Sequence, residues 1–230
     1  MEFFTTSDGI SVHVWDTRDE KSAESPCMVL LHGYLESMYI FNELVEALKS
    51  RFRLLVIDLP GHGLTDSAPA DSEGRRINSL SFCAAVVAGV MKKCGVEKAW
   101  IAGHSMGGYV AQQFLADWPG LTEGVILLCS HPYPDAPEKA ADREAEKKTI
   151  RAGKLMTLAA MSIPKMYYEE NLRTCDERSA KPWNCAKCTI RKGSAVPSTD
   201  CGCAPTCEAS LPNLPGRYWS STAITTISCR

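Results

Sequence analysis

Gly103-His104-Ser105-Met106-Gly107-Gly108 sets one hydroxyl between glycines, where two patterns meet. Before it, Ala99-Trp100-Ile101-Ala102 is a short apolar run. After it, Val110, Phe114 and Trp118 recur at i, i+4 and i+8, which predicts a helix with one apolar face on a sheet. Pro119-Gly120 then stops that helix. Strand, sharp turn and helix around Gly-x-Ser-x-Gly is the context of a nucleophile elbow. Such a turn strains the serine backbone, and Gly103 and Gly107 suit a place where strand and helix leave no room for a Cβ. The Ser105 hydroxyl is expected at the helix N-terminus, where free N–H groups and the helix dipole favour a developing anion. A serine that only caps a helix would sit in the same place, but the patterns on both sides favour the nucleophile.

The elements that must position this serine follow from hydrophobic spacing. Phe3-Phe4-Thr5 and Ile10–Trp15 flank Ser7-Asp8-Gly9 and predict an opening hairpin. Cys27–Leu31, Leu54–Ile57, Ala99–Ala102 and Gly124–Cys129 are short continuous apolar runs, as in strands buried on both faces of a parallel sheet. Between them, Ile40/Phe41, Leu44/Val45 and Leu48, and then Phe82/Cys83, Val86/Val87 and Val90/Met91, mark helices. Strands and helices in this alternation predict an α/β fold with a doubly wound, mainly parallel sheet. Ligands bind such sheets at the carboxyl ends of the strands. There His32-Gly33-Tyr34, the loop from Asp58 and Ser105 converge.

Glu138–Ala152 is highly charged and closes on Gly153, which predicts a largely solvated helix. Leu155–Ser162 and Ile163–Tyr168 are shorter helical candidates. Together with the stiff Ser130–Pro137 loop they predict a helical cap over the site, at about residues 131–170; a peripheral helical pair is the other reading.

Bulk composition narrows the function classes. The 230 residues carry a formal net charge of −2, which argues against nucleic acid or an anionic membrane surface as partner. No apolar stretch reaches the roughly eighteen residues of a membrane span. The N-terminus lacks a basic region followed by an apolar one, so a cytoplasmic protein without a signal peptide is expected.

Three motifs together resemble the α/β-hydrolase family, in its esterase, lipase and peptidase-like branch. They are His32-Gly33 after the third strand, Asp58-x-Pro60-Gly61-His62-Gly63 after the fourth, and Gly103-His104-Ser105-Met106-Gly107-Gly108 after the fifth. The resemblance covers about the first 170 residues and implies the family's sheet with a helical cap. It implies Ser105 as nucleophile, with the backbone N–H groups of Tyr34 and Met106 as the oxyanion hole. Each such donor is worth on the order of 10²–10³ in rate. Members with aspartate at the elbow open epoxides or remove halogens, so a serine implies acyl transfer from an ester, thioester or amide. His32, His62 and His104 are expected to support loops, and Asp58 to stabilise a turn. Tyr34, Tyr39, Tyr133 and Met106 are candidates for the pocket wall.

The expected acid and base do not appear. In this fold they follow the serine in the order acid, then histidine. The five histidines are His13, His32, His62, His104 and His131, and none follows residue 131. His131 ends the strand beside the elbow, ahead of the cap, which is not the family's position. Residues 171–230 contain seven Val, Ile, Leu and Phe and seven of the eleven cysteines. They hold eight Lys and Arg against four Asp and Glu, a charge of +4, which leaves −6 on residues 1–170. This is the composition of a disordered or disulfide-type segment, and the C-terminal strands of the sheet are missing from it.

A zinc site at Cys185, Cys188, Cys201, Cys203 and Cys207 is one reading of this tail. A disulfide-stapled module is another, and conflicts with a reducing compartment. The favoured reading is that a shifted reading frame replaced the true C-terminal third.

The sequence therefore predicts a serine hydrolase acting on a small-molecule acyl substrate, impaired in this chain and needing no cofactor. Loss of the histidine in a serine triad costs on the order of 10⁶ in turnover. The alternatives are a non-catalytic pocket protein, or a cofactor-free peroxidase or carbon–carbon bond hydrolase on the same scaffold.

Overall fold

The computed structural model describes residues 1–19, 25–133 and 137–166. Six strands form one sheet in the order β1-β2-β4-β3-β5-β6. β1 (Glu2–Ser7) and β2 (Ile10–Asp16) are the predicted hairpin, closed at Asp8 and Gly9 with positive φ of 49° and 80°. β2 continues antiparallel onto β4 (Arg53–Ile57). β3 (Cys27–Leu31), β4, β5 (Ala99–His104) and β6 (Thr122–Leu128) are parallel. Parallel neighbours need crossover connections. These are α1 (Asn42–Leu48), α2 (Leu80–Lys93) and α3 (Met106–Asp117).

Alternation along the central strands divides two cores between the faces of the sheet. Val29, Leu31, Leu55, Ile57 and Ile101 pack with Val86, Val90, Val110 and Phe114 of α2 and α3. Met28, Leu30, Leu54 and Val56 pack with Met38, Phe41 and Val45 on the α1 side. Both faces are therefore covered, which is why these strands read as unbroken apolar runs rather than alternating ones. One polar tie lies within the sheet: buried Arg53 grips Asp16 through Nε (3.1 Å) and Nη2 (2.7 Å) and joins β4 to β2. Such bidentate geometry suits a guanidinium and a carboxylate.

One expectation needs correction. Gly124–Cys129 reads as a buried strand, but β6 lies at the edge of the described sheet and Gly124–Leu128 are only half-buried. An apolar run does not distinguish a centre strand from an edge strand, because both pair on at least one side. The expected apolar face of α3 is present: Val110 and Phe114 are buried, and Trp118, the residue just past the helix end, packs on the same core with its ring 5.4 Å from that of Phe114.

The charged segment forms α4 (Pro137–Arg151), and α5 (Leu155–Ser162) runs into a 3-10 turn at Ile163–Met166. Ala159 and Ile163 pack on Leu35, with Tyr34 and Leu155 beside them, so this segment lies against the loop after β3. Tyr168 and the tail from residue 171, with its candidate zinc cysteines and the 170/171 boundary, fall outside the described residues. No described helix is long and apolar enough to cross a membrane.

The close approach of α3 to the sheet admits no side chain at two positions. A Cβ on Gly103 would fall on the Gly107 carbonyl, and one on Gly107 on the carbonyls of Leu31 and His32. Backbone cannot rotate away as a side chain can. Gly107→Ala is therefore expected to lower unfolding free energy by about 2–3 kcal/mol, at the upper end of overpacking costs. Gly120→Ala, which meets open space, should change it by less than about 1 kcal/mol. Urea unfolding of both variants checks the contrast.

Candidate active site

Ser105 follows directly on β5 and precedes the first residue of α3. Its backbone stands at φ 49° and ψ −112°, a strained region for a residue with a Cβ. The bend is held from three sides. The Ser105 N–H donates to the Leu128 carbonyl of β6 (2.9 Å), and the Gly108 N–H donates to the Ser105 carbonyl (3.0 Å). From the third side, Gly107 rests on the Leu31 and His32 carbonyls. Ser105 is half-buried, while Met106 is buried. The Met106 N–H belongs to the first turn of α3, where backbone donors have no intrahelical acceptor.

Strain is concentrated here. Among the described residues, four non-glycine residues have positive φ: Asp8, Leu35, Ser105 and Cys129. Apart from Asp8 in the hairpin, these lie just beyond the carboxyl ends of β3, β5 and β6, the neighbouring strands around the elbow. Left-handed backbone at non-glycine residues costs on the order of 1–3 kcal/mol each and gathers at functional sites. Tyr34 lies between His32-Gly33 and the strained Leu35, and its ring approaches His62 edge-on at 6.4 Å.

Asp58 organises the adjoining loops. It is fully buried. Its Oδ2 accepts from His13 Nδ1 (2.9 Å) and the Leu64 N–H (3.0 Å), and its Oδ1 accepts from the Met38 N–H (2.8 Å). Burial alone would raise its carboxyl pKa, but the hydrogen bond from His13, the nearby His32 and the two backbone donors hold it below the usual value. Gly63, at φ 52°, leaves no room for a Cβ beside this carboxylate. Asp58 is thus the turn-stabilising carboxylate expected from the sequence.

All five histidines of the chain are described, and each is engaged away from Ser105. His13 donates to Asp58. His32 donates through Nδ1 to the Gly33 carbonyl (2.8 Å) and accepts at Nε2 from the Leu59 N–H (2.9 Å). His62 Nδ1 donates to the Pro60 carbonyl (3.2 Å). His104 Nδ1 donates to Glu36 (2.9 Å). His131 accepts at Nδ1 from the Tyr133 N–H (3.3 Å), so its Nε2–H faces the Tyr109 hydroxyl (3.2 Å). Among the described residues no histidine bonds the Ser105 hydroxyl, and no group of three or more His, Cys, Asp and Glu could hold a metal.

Glu36 is a participant that the sequence does not announce. It is a carboxylate buried to 7% exposure, two residues past Tyr34. Its partner is 68 positions away, and no short motif encodes that pairing.

Burial, assisted by the neighbouring His32, pushes the His62 pKa down to about 4. His62 is then neutral in the folded chain, while an unfolded histidine takes up a proton below about pH 6.5. The unfolded state binds more protons between those values, so stability falls on acidification from 6.5 to 4, by up to roughly 3 kcal/mol. His104 is raised instead: burial would lower it, but the hydrogen bond and charge of Glu36 outweigh that. Its contribution is complete below pH 6.5 and is lost only above, and that of Asp58 is lost only below the ordinary carboxylate range. Urea unfolding at pH 6.5 and 4.5 is expected to show the loss, and His62→Gln to diminish it.

Residues 26–194 match the profile of a protein family described as alpha/beta hydrolase fold. A serine hydrolase-like protein of Danio rerio is 35% identical over 106 residues, 46% of this chain and 31% of that protein. Epoxide hydrolase 4 of Mus musculus is 30% identical over 109 residues, 47% of this chain and 29% of that one. The chain thus spans about a third of the length of these two relatives. In structure it is similar to a thermophilic esterase of Thermogutta terrifontis, with a TM-score of 0.71 and 22% identity, over 89% of this chain and 72% of that one. With these matches beside the strained serine on its strand-to-helix bend, the chain belongs to the α/β-hydrolase family.

Proposed function

We propose that this hydrolase uses Ser105 as nucleophile on a small-molecule ester, thioester or amide. Oγ adds to the acyl carbonyl carbon as the carbonyl electron pair moves onto oxygen. The N–H groups of Tyr34 and Met106 hold that oxyanion. Collapse expels the leaving group and leaves an acyl ester on Ser105, which water then cleaves. The observation that carries the reading is the Ser105 backbone at φ 49° and ψ −112°, held at the junction of β5 and α3. A serine at this position favours the acyl route over epoxide opening, which a carboxylate nucleophile performs.

A hydroxyl needs a base to take its proton. The engagement of all five histidines elsewhere therefore supports an impaired enzyme, with the acyl route present and its proton transfer slow. The same observation favours a second reading, a pocket protein that binds an acyl compound without turning it over.

A fluorophosphonate probe separates the two. The expected outcome is slow labelling at Ser105, located by peptide mass spectrometry and abolished in Ser105→Ala. Added imidazole supplies the missing base from solution, so it should raise hydrolysis of a p-nitrophenyl ester by wild type above that by Ser105→Ala. Binding of the ester with no labelling, and equal imidazole response in both proteins, would establish the pocket reading.

A further inference from the structure

One carboxylate oxygen joins the two loops of the site. Glu36 Oε2 accepts from the Gly33 N–H at 2.6 Å and from His104 Nδ1 at 2.9 Å. Gly33 immediately precedes Tyr34, and His104 immediately precedes Ser105. The Glu36 side chain is 9% exposed and that of His104 27%, so water screens the pair only weakly. Leu35 turns the chain back on itself at φ 60°, which brings Glu36 round to Gly33. That turn is in turn covered by Ala159 and Ile163. A His104 pKa raised by Glu36 agrees with an ion pair in the folded chain.

We propose that Glu36 is a positioning residue of the acyl-transfer site: its carboxylate clamps Gly33 to His104 and so sets the Tyr34 N–H in register with the Ser105 hydroxyl. The proposal rests on the oxyanion reading above. Without the clamp, the loop after β3 keeps its anchor on the sheet through His32, which bonds the Gly33 carbonyl and the Leu59 N–H rather than the elbow. A simple structural role would lower stability and leave the chemistry of folded protein alone. A positioning role alters one kind of chemistry at residue 105 and spares another.

The test uses the full chain with Ser105→Cys at pH 7, where a few per cent of the thiol is thiolate and reacts without a base, and where the His104–Glu36 pair is retained. With p-nitrophenyl acetate, sulfur adds to the carbonyl carbon and p-nitrophenolate leaves, through an oxyanion. With iodoacetamide, sulfur bonds to carbon as iodide leaves, and no oxyanion forms. Both rates are read at the peptide carrying residue 105 by mass spectrometry. The ratio of acylation to alkylation is expected to exceed that of a short cysteine peptide. Glu36→Ala should lower the ratio at least about tenfold, with alkylation unchanged. Glu36→Gln, which keeps an accepting oxygen, should lower it less, and it serves as the readout if the alanine variant does not fold by circular dichroism. An unchanged ratio in a folded Glu36 variant overturns the clamp and leaves the oxyanion reading standing. A parent ratio no higher than that of the free peptide overturns both.

Discussion

A backbone contact between α3 and the end of β3 governs the rest of the site. Gly107 lies against the carbonyls of Leu31 and His32, and Gly103 against Gly107 itself. Helix and sheet approach so closely that the chain must reverse within one residue, and Ser105 is that residue. Its positive φ is the consequence, paid for by burial of Val110 and Phe114 beneath the helix. The same contact brings the loop after β3 beside the elbow, and so makes a two-sided site possible. Sheet architecture sets the place, since β3 and β5 are neighbours and their carboxyl ends point the same way.

Around this contact the polar groups are arranged to hold loops rather than to move protons. Asp58 gathers β2, the turn at Met38 and the Leu64 loop onto one carboxylate, and His32 ties its own loop to Leu59. Both histidines next to these motifs are oriented by their partners. An imidazole whose nitrogens are already bonded within a buried loop is a poor proton acceptor for a hydroxyl elsewhere. This separates the scaffold that holds the Ser105 bend from the proton transfer, for which the described residues offer no histidine.

The parts legible in the sequence are those with local causes. Gly103, Ser105 and Gly107 are legible because a close strand-to-helix approach excludes every other residue at the glycine positions. The central strands are legible because burial on both faces forces continuous apolar runs. The half-burial of Gly124–Leu128 in β6 is not, since the run Val125–Leu128 resembles the others and only its packing among the described residues distinguishes it. Nor is the left-handed Leu35, a residue that ordinarily avoids that conformation; packing against Ala159 and Ile163, more than 120 positions later, accompanies it. Glu36 with His104, and His13 with Asp58, are pairings across the sheet, invisible to any short window.

The proposed chemistry stands on geometry: a hydroxyl on a strained bend, faced by two main-chain donors. Its most direct test is the crystal structure of the chain after reaction with a fluorophosphonate. Phosphorus is expected on Ser105 Oγ, with the phosphoryl oxygen about 2.7–3.1 Å from the N–H nitrogens of both Tyr34 and Met106. A phosphoryl oxygen turned to solvent, or a phosphorus on another residue with Ser105 unmodified, would contradict it.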